Sequence, residues 1–120
     1  MARVWRLRPR GEFERVRQTG RAWPHRLFVV IVLPRTEGLP RPPRIGITAG
    51  KRLGIAVVRN RLKRRLREAV REVYPNLSWD VDVIIMARAP LAEAALPAVA
   101  RALQETFQKA RIWREQDGEK

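Results

Sequence analysis

Apolar positions along the chain follow two different periods, one typical of strands and one typical of helices. The segment 26–33, RLFVVIVL, is rich in β-branched residues and apolar at successive positions, which predicts a strand covered on both faces. The segment 44–49, RIGITA, alternates apolar and polar residues, which predicts a half-buried strand and hairpin partner of the first. A further buried strand is predicted at 81–88, VDVIIMAR, and a short extra strand near Ala22.

Three helices are predicted between and around these strands. A short helix at 12–18 carries Phe13 and Val16 on one face and is followed by Gly20. The main helix spans 57–73 and stops at a Tyr-Pro pair. The last helix begins near Pro97. Its apolar stripe is expected to contain Val99, Ala102, Leu103, Thr106, Ala110 and Trp113, with Phe107 at the margin.

The element order is therefore α-β-β-α-β-α, with the possible extra strand placed before the second strand of the chain. The strand, helix and strand from 44 to 88 predict a crossover unit that joins two parallel strands. One domain is expected for 120 residues, with a flexible basic lead-in at 1–10 and a flexible tail at 114–120.

The polar side of the main helix is unusually basic. Helical spacing places Leu62, Leu66, Ala69, Val70 and Val73 on one face, which is expected to dock on the sheet. Arg59, Lys63 and Arg67 form a row along one margin of this stripe with no acid beside them. Because like charges four residues apart repel, a sequence that keeps this row is expected to have an anionic partner.

Charge strengthens that expectation. The chain has 26 basic and 12 acidic residues, and segment 51–71 alone holds nine Lys or Arg against one Glu. A rigid cationic surface of this density suits a polyphosphate backbone, because each neutralised phosphate releases condensed counterions. A solvated basic face, an anionic membrane surface and a targeting signal are the alternatives. The stripe of Leu, Val and Ala is needed for docking on the strands, which argues against a membrane.

The sequence contains few residues suited to catalysis or metal binding by the protein. Cysteine is absent, which excludes disulfides, thiolate zinc sites and thiol catalysis. His25 is the only histidine, and no phosphate-loop motif or catalytic triad is present. Asp80 and Asp82 are expected to be solvated at the start of a strand. Packing is expected for Trp79 and Trp113, and Trp5 is a candidate for stacking on RNA bases. No catalytic residue and no protein metal site is therefore predicted.

The central segment VVRNRLKRRLREAVRE, preceded by RIGITAGKRLGIA and followed by DVIIMAR, resembles the protein subunit of bacterial ribonuclease P. The resemblance spans roughly residues 13–113 and is strongest in this centre. It implies an α/β fold, an α+β two-layer sandwich with a small mixed sheet. It also implies a left-handed β-α-β crossover, against the usual right-handed rule, as in the second domain of a ribosomal protein.

The resemblance also implies a division of labour. A catalytic RNA subunit would remove the 5′ leader of precursor tRNA with Mg²⁺ that is bound mainly by the RNA and the substrate. The protein would bind the leader and the catalytic RNA in the cytoplasm, with no membrane and no protein partner required.

Site residues carried over from the family fall into two groups. The surface that would face the catalytic RNA comprises Lys51, Arg52, Arg59, Asn60, Arg61, Lys63, Arg64 and Arg67. The leader cleft would comprise Phe13, Arg17, Val29, Ile31, Arg44 and Thr48, with Arg52 at the turn. Arg17 and Ile31 stand where relatives often have aromatic residues, so base stacking is expected to be poorer and backbone charge contacts more important.

Two other functions remain open at this point. A structural RNA-binding protein, such as a ribosomal protein, would have the same basic helix without an enzyme. A DNA-binding nucleoid protein would bind duplex DNA as well as it binds structured RNA.

Overall fold

The computed structural model describes residue 7 and residues 10–115, which form three helices and one four-stranded sheet. The rest of the predicted lead-in and tail, including Trp5, lies outside the described residues. The elements are α1 Arg10–Thr19, β1 Arg21–Pro24, β2 Phe28–Pro34, β3 Arg44–Thr48, α2 Ala56–Val73, β4 Val81–Ala87 and α3 Leu96–Lys109. The predicted element order, including the short strand near Ala22, is confirmed.

The sheet has the strand order β1-β2-β4-β3. Strand β2 is antiparallel to β1 and β4, whereas β3 is parallel to β4 and α2 forms the crossover between them. The predicted parallel crossover is thus confirmed, and its handedness stays a prediction. The expected hairpin between β2 and β3 is wrong, because β4 lies between these strands and supplies backbone partners to both. The proline-rich segment 35–43 therefore carries the chain past β4.

Alternation along the strands divides the core between the two sides of the sheet. Phe28 and Val30 of β2 belong to a large cluster that includes the buried residues of α2 and α3. Ile31 of β2 and Ile84 of β4 face the other side, where they pack with Val16 of α1 and with Leu7. Strand β2 is therefore covered on both faces, as its unbroken apolar run predicts.

Helix α2 docks through the residues that helical spacing selects. Its buried residues are Leu62, Leu66, Ala69, Val70 and Val73, which confirms the predicted stripe. Each buried Leu or Val contributes roughly 1.5–3 kcal/mol relative to an exposed one. Because this stripe fixes the rotation of the helix about its axis, the basic side chains are held along its margins and on the outward side.

Helix α3 begins at Leu96 with Pro97 in its first turn, where a missing N–H costs no hydrogen bond. The predicted stripe is confirmed from Val99 to Thr106, but Phe107 is fully buried, so its placement at the margin is wrong. Helix α3 packs against α2, and both helices contribute buried residues to the larger cluster.

Two expectations about residues 79–82, at the start of β4, are wrong. Asp82 is fully buried, because it is the second residue of a central strand and its carboxylate meets arginine side chains there. Trp79 is 49% exposed, because it precedes the strand at a point where Asp80 turns the chain with a φ of 65°. Trp113 packs against the larger cluster, as expected.

Candidate nucleic-acid interface

The basic side chains of α2 lie free of carboxylates. Arg59, Lys63 and Arg67 are partly buried along one margin of the docked stripe, and Arg61 and Arg64 are exposed. All five ion pairs within residues 10–115 lie on other elements, so no basic residue of α2 is neutralised there. The row predicted from the sequence is therefore an uncompensated cationic surface.

The amino-terminal end of α2 adds to this positive potential. The first turn contains no acid, and Ile55 at the N-cap provides no side-chain hydrogen bond to the free N–H groups. Such an end carries the positive pole of the helix dipole and donors that suit an oxyanion. Asn60, in the next part of the helix, is exposed beside this end.

A short 3-10 turn, Lys51–Leu53, leads into α2 and places Lys51 and Arg52 in solvent. Gly54 closes the turn with a φ of 139°, in the region that favours glycine. A Cβ at this position would also lie 3.1 Å from the side chain of Val58. Glycine is therefore required to bring the turn directly onto the helix, so that both basic groups adjoin the cationic row.

Beside this turn is a cavity of about 590 Å³ that we call the open pocket. It lies where β3 and β4 end and the chain enters β2. Arg26, Arg52 and Arg88 line it together with apolar and glycine residues, and no carboxylate lines it. The complete lining is Arg26, Gly50, Arg52, Leu53, Met86, Ala87, Arg88, Ala89 and Pro90. Apolar walls with guanidinium groups match the needs of a nucleotide, which has a flat base and a charged phosphate.

Sequence reasoning missed Arg26 and Arg88 as candidate site residues. Both lie just outside strands, Arg26 before β2 and Arg88 after β4, and antiparallel pairing of these strands brings them together. Arg88 donates a hydrogen bond from Nη1 to the carbonyl of His25 at 2.8 Å, which anchors its side chain. The sequence shows that each arginine lies next to a predicted strand end. It does not show that the two come together, because this depends on which strands pair.

Phe13 lies on the sheet face that α1 covers. A Cβ added to Gly46 would lie 2.8 Å from the ring of Phe13, so the absence of a side chain lets the ring approach the backbone of β3. Phe13 also packs against the cluster that contains Val16 and Ile31. The ring is partly exposed and therefore forms an edge of this face.

The other predicted cleft residues differ in how accessible they are. Val29 and Thr48 are partly buried on the same face as Phe13, and Met86 of β4 lies between them in the sheet register. Ile31 is only 6% exposed and lies beneath α1. Arg17 is exposed on α1, where its Nε lies 3.5 Å from Glu14.

Arg44, also predicted for the cleft, belongs to an ion-pair network that we call the Asp82 cluster. Its Nε and Nη2 donate to the two oxygens of Asp82 at 3.0 and 3.1 Å, and its Nη1 donates to Glu12 at 2.7 Å. The hydrogen bond to Asp82 raises the pKa of Arg44. Arg15 and Arg35 also reach Asp82, each at 3.1 Å. The guanidinium of Arg44 is thus committed to internal carboxylates.

His25 is held in a structural role. Its Nδ1 accepts a hydrogen bond from the backbone N–H of Leu27 at 3.0 Å, and its ring stacks on Phe28 with centroids 4.8 Å apart. Burial, together with the charge of Arg26, lowers the pKa of His25. Within the described part of the chain, no group of three or more His, Cys, Asp or Glu is placed to hold a metal ion. No helix among these residues is long and apolar enough to span a membrane.

Comparison with known proteins identifies relatives of this arrangement. A family model described as Ribonuclease P matches residues 1–111. The ribonuclease P protein component of Roseiflexus castenholzii is 41% identical over 113 residues, which cover 93% of this chain and 90% of that protein. The corresponding protein of Herpetosiphon aurantiacus is 40% identical over 117 residues, which cover 98% of this chain and 93% of that protein.

Solved structures give the same result. The RNase P protein of Staphylococcus aureus superposes with a TM-score of 0.75 at 26% identity, over 92% of this chain and 98% of that one. The RNase P protein of Thermotoga maritima superposes with a TM-score of 0.74 at 25% identity, over 87% of this chain and 96% of that one.

Proposed function

Because the chain belongs to the ribonuclease P protein family, we propose that it divides two RNA partners between two cationic surfaces. It is a protein subunit of a ribonucleoprotein endoribonuclease that acts in the removal of the 5′ leader from precursor tRNA. In this proposal the outward side of α2 and its entry turn bind the catalytic RNA, and Arg52 of that turn is shared with the leader site. The open pocket and the adjoining sheet face bind the leader.

One observation carries this assignment, namely the distribution of ion pairs. The cations of α2 and of the open pocket have no carboxylate partner within residues 10–115, whereas Arg15, Arg17, Arg35 and Arg44 all do. Because phosphate contacts dominate affinity for nucleic acid, the unpaired cations are the ones available to RNA. The family favours the enzyme subunit over a structural RNA-binding protein, and the pattern of ion pairs indicates which of its residues contact RNA.

The proposed leader surface comprises Phe13, Val29, Thr48 and Met86 on the sheet face and the arginines of the open pocket. Unpaired bases would lie on the apolar groups while Arg26, Arg52 and Arg88 follow the phosphates. Arg17 would add charge at the rim. Ile31 would support the surface from beneath, and Arg44 would act through its internal ion pairs.

Catalysis in this proposal belongs to the RNA. The Mg²⁺ ions that position and activate water would be bound mainly by the catalytic RNA and the substrate, in the cytoplasm. Asp82 is a poor ligand for such an ion because three guanidinium groups already surround its carboxylate.

The test is single-turnover cleavage of precursor tRNA by the cognate catalytic RNA at limiting Mg²⁺, with and without the chain. We expect the chain to raise both the cleavage rate and the affinity for precursor over mature tRNA. A chain that binds RNA but changes neither quantity would indicate the structural RNA-binding alternative. Equal affinity for duplex DNA and structured RNA would indicate a DNA-binding protein.

Matched variants locate the contact with the catalytic RNA. Arg67→Ala should weaken assembly with that RNA and reduce the salt dependence of log K by about one unit, as expected for one lost phosphate contact. Arg101→Ala removes the same charge from an exposed position of α3 and should change neither. Equal effects of the two variants would show that α2 contributes only through net charge.

A further inference from the structure

Helix α1 is attached to the sheet by two ion pairs as well as by apolar contacts. Nη2 of Arg15 lies 3.1 Å from Oδ2 of Asp82, and Glu12 accepts a hydrogen bond from Nη1 of Arg44 at 2.7 Å. Asp82 also holds Arg44 through two hydrogen bonds, so both attachments lead to the same carboxylate. Phe13 lies between Glu12 and Arg15 in the sequence and faces the sheet with them.

The apolar attachment of α1 is small. The helix has ten residues, fewer than the about 12–15 at which an isolated helix becomes even marginally stable. Val16 is its one buried residue between positions 11 and 19, whereas α2 buries five. The position of α1 on the sheet therefore depends strongly on the two ion pairs.

We propose that Asp82, acting through Arg15 and Arg44, is a positioning residue for leader recognition. It holds α1 at the register that places the Phe13 ring against Gly46, beside the sheet surface that receives the leader. Asp82 is fully buried and negatively charged, so it does this without contacting RNA. The inference rests on the leader site described above.

The competing role for Arg15 is a direct phosphate contact, since its side chain is 45% exposed. The two roles predict different signs for charge changes. A direct electrostatic role predicts that Arg15→Ala weakens leader binding and that Glu12→Ala, which makes the chain more positive, strengthens it. Positioning predicts that both variants weaken it, because each removes one attachment of α1.

The experiment is a double-mutant cycle in the reconstituted holoenzyme, read as the ratio of precursor to mature tRNA affinity at several salt concentrations. The variants are Arg15→Ala, Glu12→Ala and Phe13→Ala, singly and with each of the first two combined with Phe13→Ala. Arg15→Ala leaves Asp82 paired with Arg35 and Arg44, and Glu12→Ala leaves all three arginines on Asp82, so the fold should persist. Circular dichroism and urea unfolding check this, and Arg101→Ala serves as the charge control.

We expect Arg15→Ala and Glu12→Ala each to lower the ratio about fivefold, a size typical of coupling between contacting residues, without changing the salt slope. In the Phe13→Ala background each should lower it less than about twofold, because the group being positioned is gone. Three outcomes would overturn the inference while leaving the leader site intact. They are losses in the affinity ratio that add in the double variants, a higher ratio in Glu12→Ala, or a salt slope lowered by about one unit in Arg15→Ala. A Phe13→Ala chain with an unchanged ratio would instead overturn the leader site, and the inference with it.

Discussion

Two ends of one sheet face hold arginines in opposite electrostatic states. In the open pocket, no carboxylate lines the cavity beside Arg26, Arg52 and Arg88. In the Asp82 cluster, three arginines converge on one fully buried carboxylate. Asp82 and Met86 lie on the same side of β4, four residues and therefore about 13 Å apart.

An arginine beside a carboxylate forms an internal ion pair, whereas an arginine without one is available to an external anion. Asp82 raises the pKa of Arg44 through a hydrogen bond, while burial and the charge of Arg26 lower the pKa of His25 next to the open pocket. The arginines of the Asp82 cluster form ion pairs within the protein, and the arginines of the open pocket are available to phosphate. The number of arginines in a chain therefore does not measure its RNA-binding surface.

Removing the carboxylate from the cluster should have the largest effect. Asp82→Asn would leave Arg15 and Arg35 without a counterion and Arg44 with Glu12 alone, and we expect a loss of about 3–5 kcal/mol in the free energy of unfolding. Urea denaturation measures this. Asp80→Asn is the control, since asparagine keeps the oxygen that accepts from the N–H of Arg41 and tolerates positive φ; it should cost less than about 1 kcal/mol. Equal losses would mean that the cluster does not depend on its buried charge.

Adding a carboxylate to the open pocket should convert it into a second neutralised cluster. Met86→Asp would place a negative charge among the pocket arginines, and we expect precursor tRNA affinity to fall about tenfold, which is about 1.4 kcal/mol. Met86→Asn has nearly the same shape without the charge. Competition binding of precursor against mature tRNA measures the effect, and similar losses in both variants would point to packing rather than charge.

Matched arginine deletions at the two ends should affect different properties. Arg52→Ala should lower the salt dependence of precursor binding by about one unit with little change in stability. Arg35→Ala, which removes a side chain only 8% exposed that lies against Asp82, should lower stability and leave the salt slope unchanged. Salt titrations and urea unfolding of both variants decide this; a slope change in Arg35→Ala would contradict the assignment.

The smallest effect concerns pH. The pKa of His25 is lowered below its ordinary 6.5, so the unfolded chain takes up the proton first as the pH falls. The contribution of His25 to stability is therefore complete above pH 6.5 and declines as the pH falls through the interval below it. Urea midpoints between about pH 7.5 and 5.5 should fall slightly more for the natural chain than for His25→Gln. If the urea midpoints of the two chains changed equally with pH, His25 would not contribute to the pH dependence of stability.

Local pattern was sufficient for most of the fold and for the cationic helix. The strands and helices lie close to the predicted ranges, and all five predicted docking residues of α2 are buried. Periodicity reports which face of an element is apolar, and the basic row follows directly from that face. The basic helix α2 could therefore be predicted from the sequence alone.

Long-range pairing was not visible in the same way. The separation of β2 from β3, the burial of Asp82 and the meeting of Arg26 with Arg88 all depend on β4 lying between β2 and β3. No local spacing encodes that order, so the sequence alone indicated neither the burial of Asp82 nor its pairing with Arg44.

The amino-acid sequence by itself determined that this chain folds as a mixed α and β domain with an arginine-rich helix suited to a polyphosphate backbone, because apolar period and charge are local properties. Only the tertiary structure decided which arginines face a carboxylate and which face solvent. Ion pairing acts over a few ångströms, and those short distances are set by strand order and register between residues far apart in the chain.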